Sequence, residues 1–128
     1  VKKKSKKLKM VGIVGPYFGD GNYNTIEENI CRVEKFAIAL ANRGIPFFCA
    51  HLHTRHFEVK AKAPEDFYKK QDMHILLSIC SALLAVPGWE TSDGARIETM
   101  TFQQLGRLVF FPKSPDDLDE VEKWAQEE

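Results

Sequence analysis

The stretch Ala82-Leu83-Leu84-Ala85-Val86-Pro87-Gly88-Trp89, continuing through Ser92-Asp93-Gly94-Ala95-Arg96-Ile97-Glu98, decides how this chain folds. An apolar run stops at Pro-Gly, a turn of small residues follows, and the chain resumes with helical spacing. A strand that crosses such a turn into a helix gathers backbone N–H groups at one spot. Those donors and the helix dipole favour an anion there. Glu98 falls about one turn inside that helix, on the same rim. A carboxylate beside a seat for phosphate or sugar is the basic requirement for breaking a glycosidic bond.

Outward from this stretch the same alternation recurs. Residues 8–14 form an apolar run stopped by Gly15-Pro16, which predicts a buried strand. After a turn-rich segment over 17–24, Thr25 and Glu28 predict a capping box, and Ile26, Ile30, Val33, Ala37 and Leu40 share one helical face up to Gly44. Residues 45–50 read as the second strand. Residues 51–63 are polar and irregular, the longest expected loop, and long loops in compact domains are often functional. Pro64 suits a first helical turn, and Phe67, Met73, Leu76, Leu77 and Cys80 continue a second amphipathic helix. The third strand spans 82–86 and the third helix 94–105, closed by Gly106. A fourth strand over 107–111 follows, and Ser114-Pro115 caps a last helix carrying Leu118, Val121 and Trp124. Strands alternating with helices make an α/β chain with a parallel sheet covered on both faces. The order resembles a flavodoxin-like or Rossmann-like three-layer sandwich with a four- to five-stranded parallel sheet. In such sheets ligands bind beyond the carboxyl ends of the strands, where segments 15–24, 51 onward and 87–98 must meet.

With 128 residues and 44% hydrophobic side chains, the chain suits one domain over residues 10–128 behind a basic tail over 1–9. Acidic and basic side chains balance at 18 each, so no field attracts a polyanion and no nucleic-acid polymer is expected as partner. The tail, with lysines at 2, 3, 4, 6, 7 and 9, reads as a frayed, solubilising terminus. No apolar run has the length of a membrane span or the form of a signal peptide, so no membrane association is expected. Cys31, Cys49 and Cys80 are odd in number and far apart in apolar surroundings. They read as reduced core residues of a cytoplasmic protein.

Each candidate has a plain alternative. Glu98 is an exposed helical glutamate unless the Ser-x-Gly turn before it serves a ligand. Asp72 sits inside a helix, where aspartate is unfavourable; it either pairs with Lys69 or joins Glu98 at one pocket, one carboxylate as nucleophile and one as proton donor. His51 and His53 alternate, yet no further ligand lies at metal-binding spacing, so no metal is expected and His51 is better placed to touch a ligand. The glycines from Gly15 to Gly21 fit neither a Walker loop nor a dinucleotide fingerprint, so no cofactor is expected. Trp89 either stacks on a base or covers the sheet edge.

Taken together, these residues resemble the nucleoside 2-deoxyribosyltransferase-like superfamily, which includes the 2′-deoxynucleoside 5′-phosphate N-hydrolases. The likeness is carried by Gln71-Asp72 through Leu76 and Cys80 to Pro87-Gly88-Trp89 and Ser92-x-Gly94-x-x-x-Glu98, and more loosely by Val11 to Pro16, the first helix, and Gly44 to His51. The resemblance implies that Glu98 attacks the anomeric carbon and that Asp72 helps the base depart. It also implies that Ser92 and Gly94 receive a 5′-phosphate and that Gly15 and His51 line the pocket; Asp93 and Arg96, at the start of the same helix, are further candidates to bind the substrate, Arg96 at its phosphate or 5′-hydroxyl. The substrate class would be a small nucleoside or nucleotide, and the assembly a homodimer or higher homo-oligomer. The chain departs from the family at Gly12, where relatives carry a tyrosine that orients the nucleophile; Tyr17, past the turn, is the nearest substitute. It also has Ser81 where relatives often have aspartate. A nucleotide sensor without catalysis is one alternative on the same fold. A ribonucleotide phosphoribohydrolase is another, although Pro87-Gly88-Trp89 echoes only the start of that motif.

Overall fold

The computed structural model describes residues 8–127. Its elements are β1 (Val11–Val14), α1 (Tyr23–Asn42), β2 (Phe47–Cys49), α2 (Ala50–His53), α3 (Phe57–Lys60), α4 (Glu65–Ile79), β3 (Ala82–Ala85), α5 (Asp93–Gln104), β4 (Leu108–Phe110) and α6 (Asp119–Gln126), with a 3₁₀ turn over Trp89–Thr91. The strands form one parallel sheet of four in the order β2-β1-β3-β4. Val11 lies opposite Phe47 on one side and Ala82 on the other, and Ala82 lies opposite Leu108. This is the flavodoxin-like arrangement, an α/β sheet flanked by helices on both faces.

Alternation along the central strands builds two cores. Val11 and Ile13 of β1, with Ala82 and Leu84 of β3, pack against Val33, Phe36 and Leu40 of α1 and Val121 of α6. On the opposite face, Val14, Leu83 and Ala85 meet Leu76 of α4 and Ala95 and Phe102 of α5. The chain order passes from one face to the other between β1 and β3, so a crevice opens at their carboxyl ends.

Several sequence expectations change. Helix α1 begins at Tyr23, because the Asn22 side chain accepts the Asn24 N–H at 2.8 Å, ahead of the expected Thr25–Glu28 box. Residues 51–63 are not irregular: α2 and α3 lie within them, separated by His56 in the left-handed region (φ 58°). His51, Arg55, His56 and Glu58 bind neighbouring elements, whereas Lys60 and Lys62 stay exposed. Ser114-Pro115 does not cap α6. Instead Asp117 accepts the Lys113 N–H at 2.8 Å and closes a turn, which delays the helix to Asp119. Cys31 is exposed on α1, whereas Cys49 and Cys80 are buried, with thiols pushed up to about 11 by burial. Most of the basic tail lies outside the described residues. Its last member, Lys9, is docked rather than frayed: Nζ donates to the Trp124 carbonyl at 2.9 Å and sits 5.3 Å from that ring's centre. Among the described residues no helix is long and apolar enough to cross a membrane.

Candidate active site

A cavity of about 620 Å³ opens at the carboxyl ends of β1 and β3, on the α4–α5 side of the sheet. That volume suits a small organic ligand. Its floor is the end of β1 through Gly15 and Pro16. One wall is the turn and first helical turns from Ser92 to Glu98, and the other is α4 with the α2–α3 segment.

The α5 wall follows from Gly88, whose φ of 96° turns the chain sharply after β3 in a conformation that favours glycine. The 3₁₀ turn carries the chain to Ser92, an N-cap whose hydroxyl oxygen accepts the Ala95 N–H at 3.3 Å. The remaining free N–H groups of the first turn border the cavity. A side-chain carbon built at Gly94 would meet nothing within 4 Å, so open space, not packing, adjoins this residue. Glu98 lies five residues into α5 and lines the same cavity.

Asp72 reaches the cavity from α4. Its expected partner, Lys69, pairs instead with Glu65 at 3.2 Å. Asp72 Oδ1 is buried with no hydrogen-bond partner among the described residues. Burial pushes the Asp72 carboxyl up to about 6, opposed in part by His53. Burial, and secondarily the charge of Asp72, pushes Glu98 up to about 8. The two therefore behave as one coupled acid pair that holds a single proton near neutrality.

Other expected site residues take different places. Tyr17 lines the cavity, but its hydroxyl donates to Glu58 Oε2 at 2.6 Å and accepts the His56 N–H at 3.0 Å, so it does not orient Glu98. His51 also lines the cavity. It is buried, burial pushes its pKa down, and Nε2 donates to the Pro16 carbonyl at 2.8 Å, bracing the loop after β1. Asp93 lies at the rim, paired with Arg96. Arg96 also donates to the Glu90 carbonyl at 2.8 Å and is not among the lining residues, so it folds back on its own turn instead of reaching an anion. Trp89 packs 5.4 Å from Phe111 and against the second core, so it covers the sheet edge rather than stacking in the cavity.

Gly12 has a steric explanation. A side-chain carbon there would sit 2.4 Å from Leu76 Cδ2 and 3.0 Å from Leu83 Cδ2, so the space is already filled by α4 and β3. Sequence reasoning missed Tyr68 and Glu58. Tyr68 precedes Asp72 by four residues on α4, a spacing that places both on one face and was readable. Glu58 lies in α3, a helix too short to show a periodic pattern in the sequence.

Two carboxylates with raised pKa values, one helix N-terminus and a floor of backbone thus meet in one concavity. Such a pair can supply one carboxylate as nucleophile and one carboxyl as proton donor. No protein-family model and no curated protein matches this chain.

Proposed function

We propose that this protein cleaves the N-glycosidic bond of 2-deoxynucleosides or their 5′-monophosphates. The observation that carries the reading is the convergence of Asp72 and Glu98 on one cavity beside the N-terminus of α5. The phosphate or 5′-hydroxyl would rest against the first turn of α5, where Ser92 and Gly94 leave donors and room. Glu98 attacks C1′ through an oxocarbenium-like transition state. The bond from C1′ to the base nitrogen breaks, and the base takes the proton held by Asp72. Water, or the N–H of a second base, then gives its proton to the Asp72 carboxylate as it attacks C1′, which frees the Glu98 carboxylate.

In the free protein burial favours the shared proton on Glu98, whereas attack needs it on Asp72. A base that accepts a hydrogen bond from Asp72 draws the proton across. The pKa values of about 6 and about 8 put this transfer at about 3 kcal/mol, a small part of a typical enzymatic barrier. The resemblance to the nucleoside 2-deoxyribosyltransferase-like superfamily supports the same roles. Self-association belongs to this reading too: Met100 on α5, Leu105 just past its end and Leu108 on the edge strand β4 are exposed apolar side chains.

A second reading, a nucleotide sensor without turnover, is favoured by Gly12, which offers no hydroxyl to hold Glu98 in place. Incubation with the common deoxynucleoside monophosphates, followed by chromatography for free base and intact-mass analysis, separates the two. Base release with a sugar adduct on Glu98 is expected. Release that persists in Glu98→Ala refutes the mechanism, and stable binding without release selects the sensor.

A further inference from the structure

We infer that Tyr68 is a ligand-reading residue, and that its hydroxyl and Asp72 Oδ1 form one polar edge for a planar ring bearing a hydrogen-bond donor beside an acceptor. This rests on the deoxynucleotide reading and specifies which part of that substrate α4 recognises. Both residues line the cavity, one helical turn apart on one face of α4. The Tyr68 hydroxyl and Asp72 Oδ1 are both buried without a hydrogen-bond partner among the described residues. Leaving a buried polar atom unpaired costs about 1–3 kcal/mol. Two such atoms on one cavity wall, a helical turn apart, are explained by an occupant that pairs with both.

Three other buried polar atoms also lack a hydrogen-bond partner among the described residues, but His56 Nδ1 and Glu58 Oε1 face each other as an ion pair at 3.4 Å and Thr99 does not line the cavity. The Tyr17 hydroxyl has both a donor and an acceptor partner. The Tyr68 ring is held edge-on by Phe67 at 5.2 Å and Phe57 at 6.4 Å, which fixes where its hydroxyl points. Position assigns the edge to the base rather than the phosphate. Asp72 acts electrostatically on Glu98 of α5, while Tyr68 lies a turn further away, beside α3. A substrate with its anionic end at Ser92 and its reacting carbon at Glu98 therefore lays its ring along Asp72 and Tyr68. The Tyr68 hydroxyl donates to a ring nitrogen or carbonyl, and Asp72 Oδ1 accepts from the adjacent N–H, which leaves Oδ2 to carry the proton that departs with the base. Nucleobases carry such paired groups; the sugar phosphate does not.

The test is Tyr68→Phe in a Glu98→Gln background, which keeps substrate intact. Calorimetry would follow binding of each deoxynucleoside monophosphate and of 2-deoxyribose 5-phosphate. The expected result is about a tenfold weaker nucleotide affinity, unchanged affinity for the sugar phosphate, and a melting temperature of the free protein that holds or rises. Equal weakening of both ligands, or a lower melting temperature, overturns the inference. Nucleotide binding that Tyr68→Phe leaves untouched also overturns it, and the deoxynucleotide reading then stands. No nucleotide binding even with Tyr68 present overturns both.

Discussion

Replacing Glu98 by glutamine should stabilise the protein at alkaline pH. The carboxyl titrates at about 8 in the fold against an ordinary 4.5, chiefly because it is buried and next because Asp72 is near. A carboxyl raised in this way favours the folded state while it stays protonated, and that contribution is lost as pH rises from 4.5 through about 8. At about 1.4 kcal/mol per pH unit the gap caps the cost of ionising Glu98 at about 5 kcal/mol. Water reaching the half-buried side chain reduces this to about 2 kcal/mol. Glutamine keeps the shape and loses the charge. Thermal unfolding of both proteins followed by circular dichroism at pH 5, 7 and 9 reads the difference. Near pH 5 the two should nearly coincide, and at pH 9 Glu98→Gln should melt about 8 °C higher, at about 4 °C per kcal/mol for a chain of this size. His51, whose lowered pKa weakens the fold as pH falls below 6.5, is common to both and cancels. Parallel melting profiles, or a variant less stable at pH 9, would refute the claim that the cavity strains this carboxylate.

Cleavage should follow a bell-shaped pH profile centred near 7. Below about 6 both carboxyls are protonated and no nucleophile remains; above about 8 both are ionised and no acid remains, which kcat/KM against pH would show. Asp72→Asn should lower kcat at least a hundredfold and remove the alkaline limb, leaving one acid limb set by Glu98 alone, whose carboxyl then titrates below 8 because the neighbouring charge is gone. Gly12→Ala should cost about 1–3 kcal/mol in urea unfolding, since its methyl would collide with Leu76 and crowd Leu83 and Cys80.

Much of the architecture was legible because burial on both faces leaves near-continuous apolar strands, as in Val11 to Val14 and Ala82 to Val86. The turn at Pro87-Gly88 and the Ser92 cap were equally plain, because each has a local cause in its own residues. Asp72 announced itself as an ill-suited helical residue. The roles of Tyr17, Trp89 and Arg96 were not legible. Their partners, Glu58, Phe111 and the Glu90 carbonyl, are chosen by tertiary geometry that spacing does not encode. The α2–α3 segment escaped for the same reason: four-residue helices carry no periodicity to read.

That segment has a broader consequence. Helices so short cannot sustain themselves, because nucleation costs more than their few internal bonds return. They persist through outside anchors: Glu27 of α1 grips Arg55 and His56, the Tyr17 hydroxyl secures Glu58, and His51 clasps the Pro16 carbonyl. One flank of the cavity therefore has a borrowed shape, dictated from the opposite layer of the sandwich. Sequence drift at Glu27, which does not line the cavity, would be felt as a change in what the cavity admits.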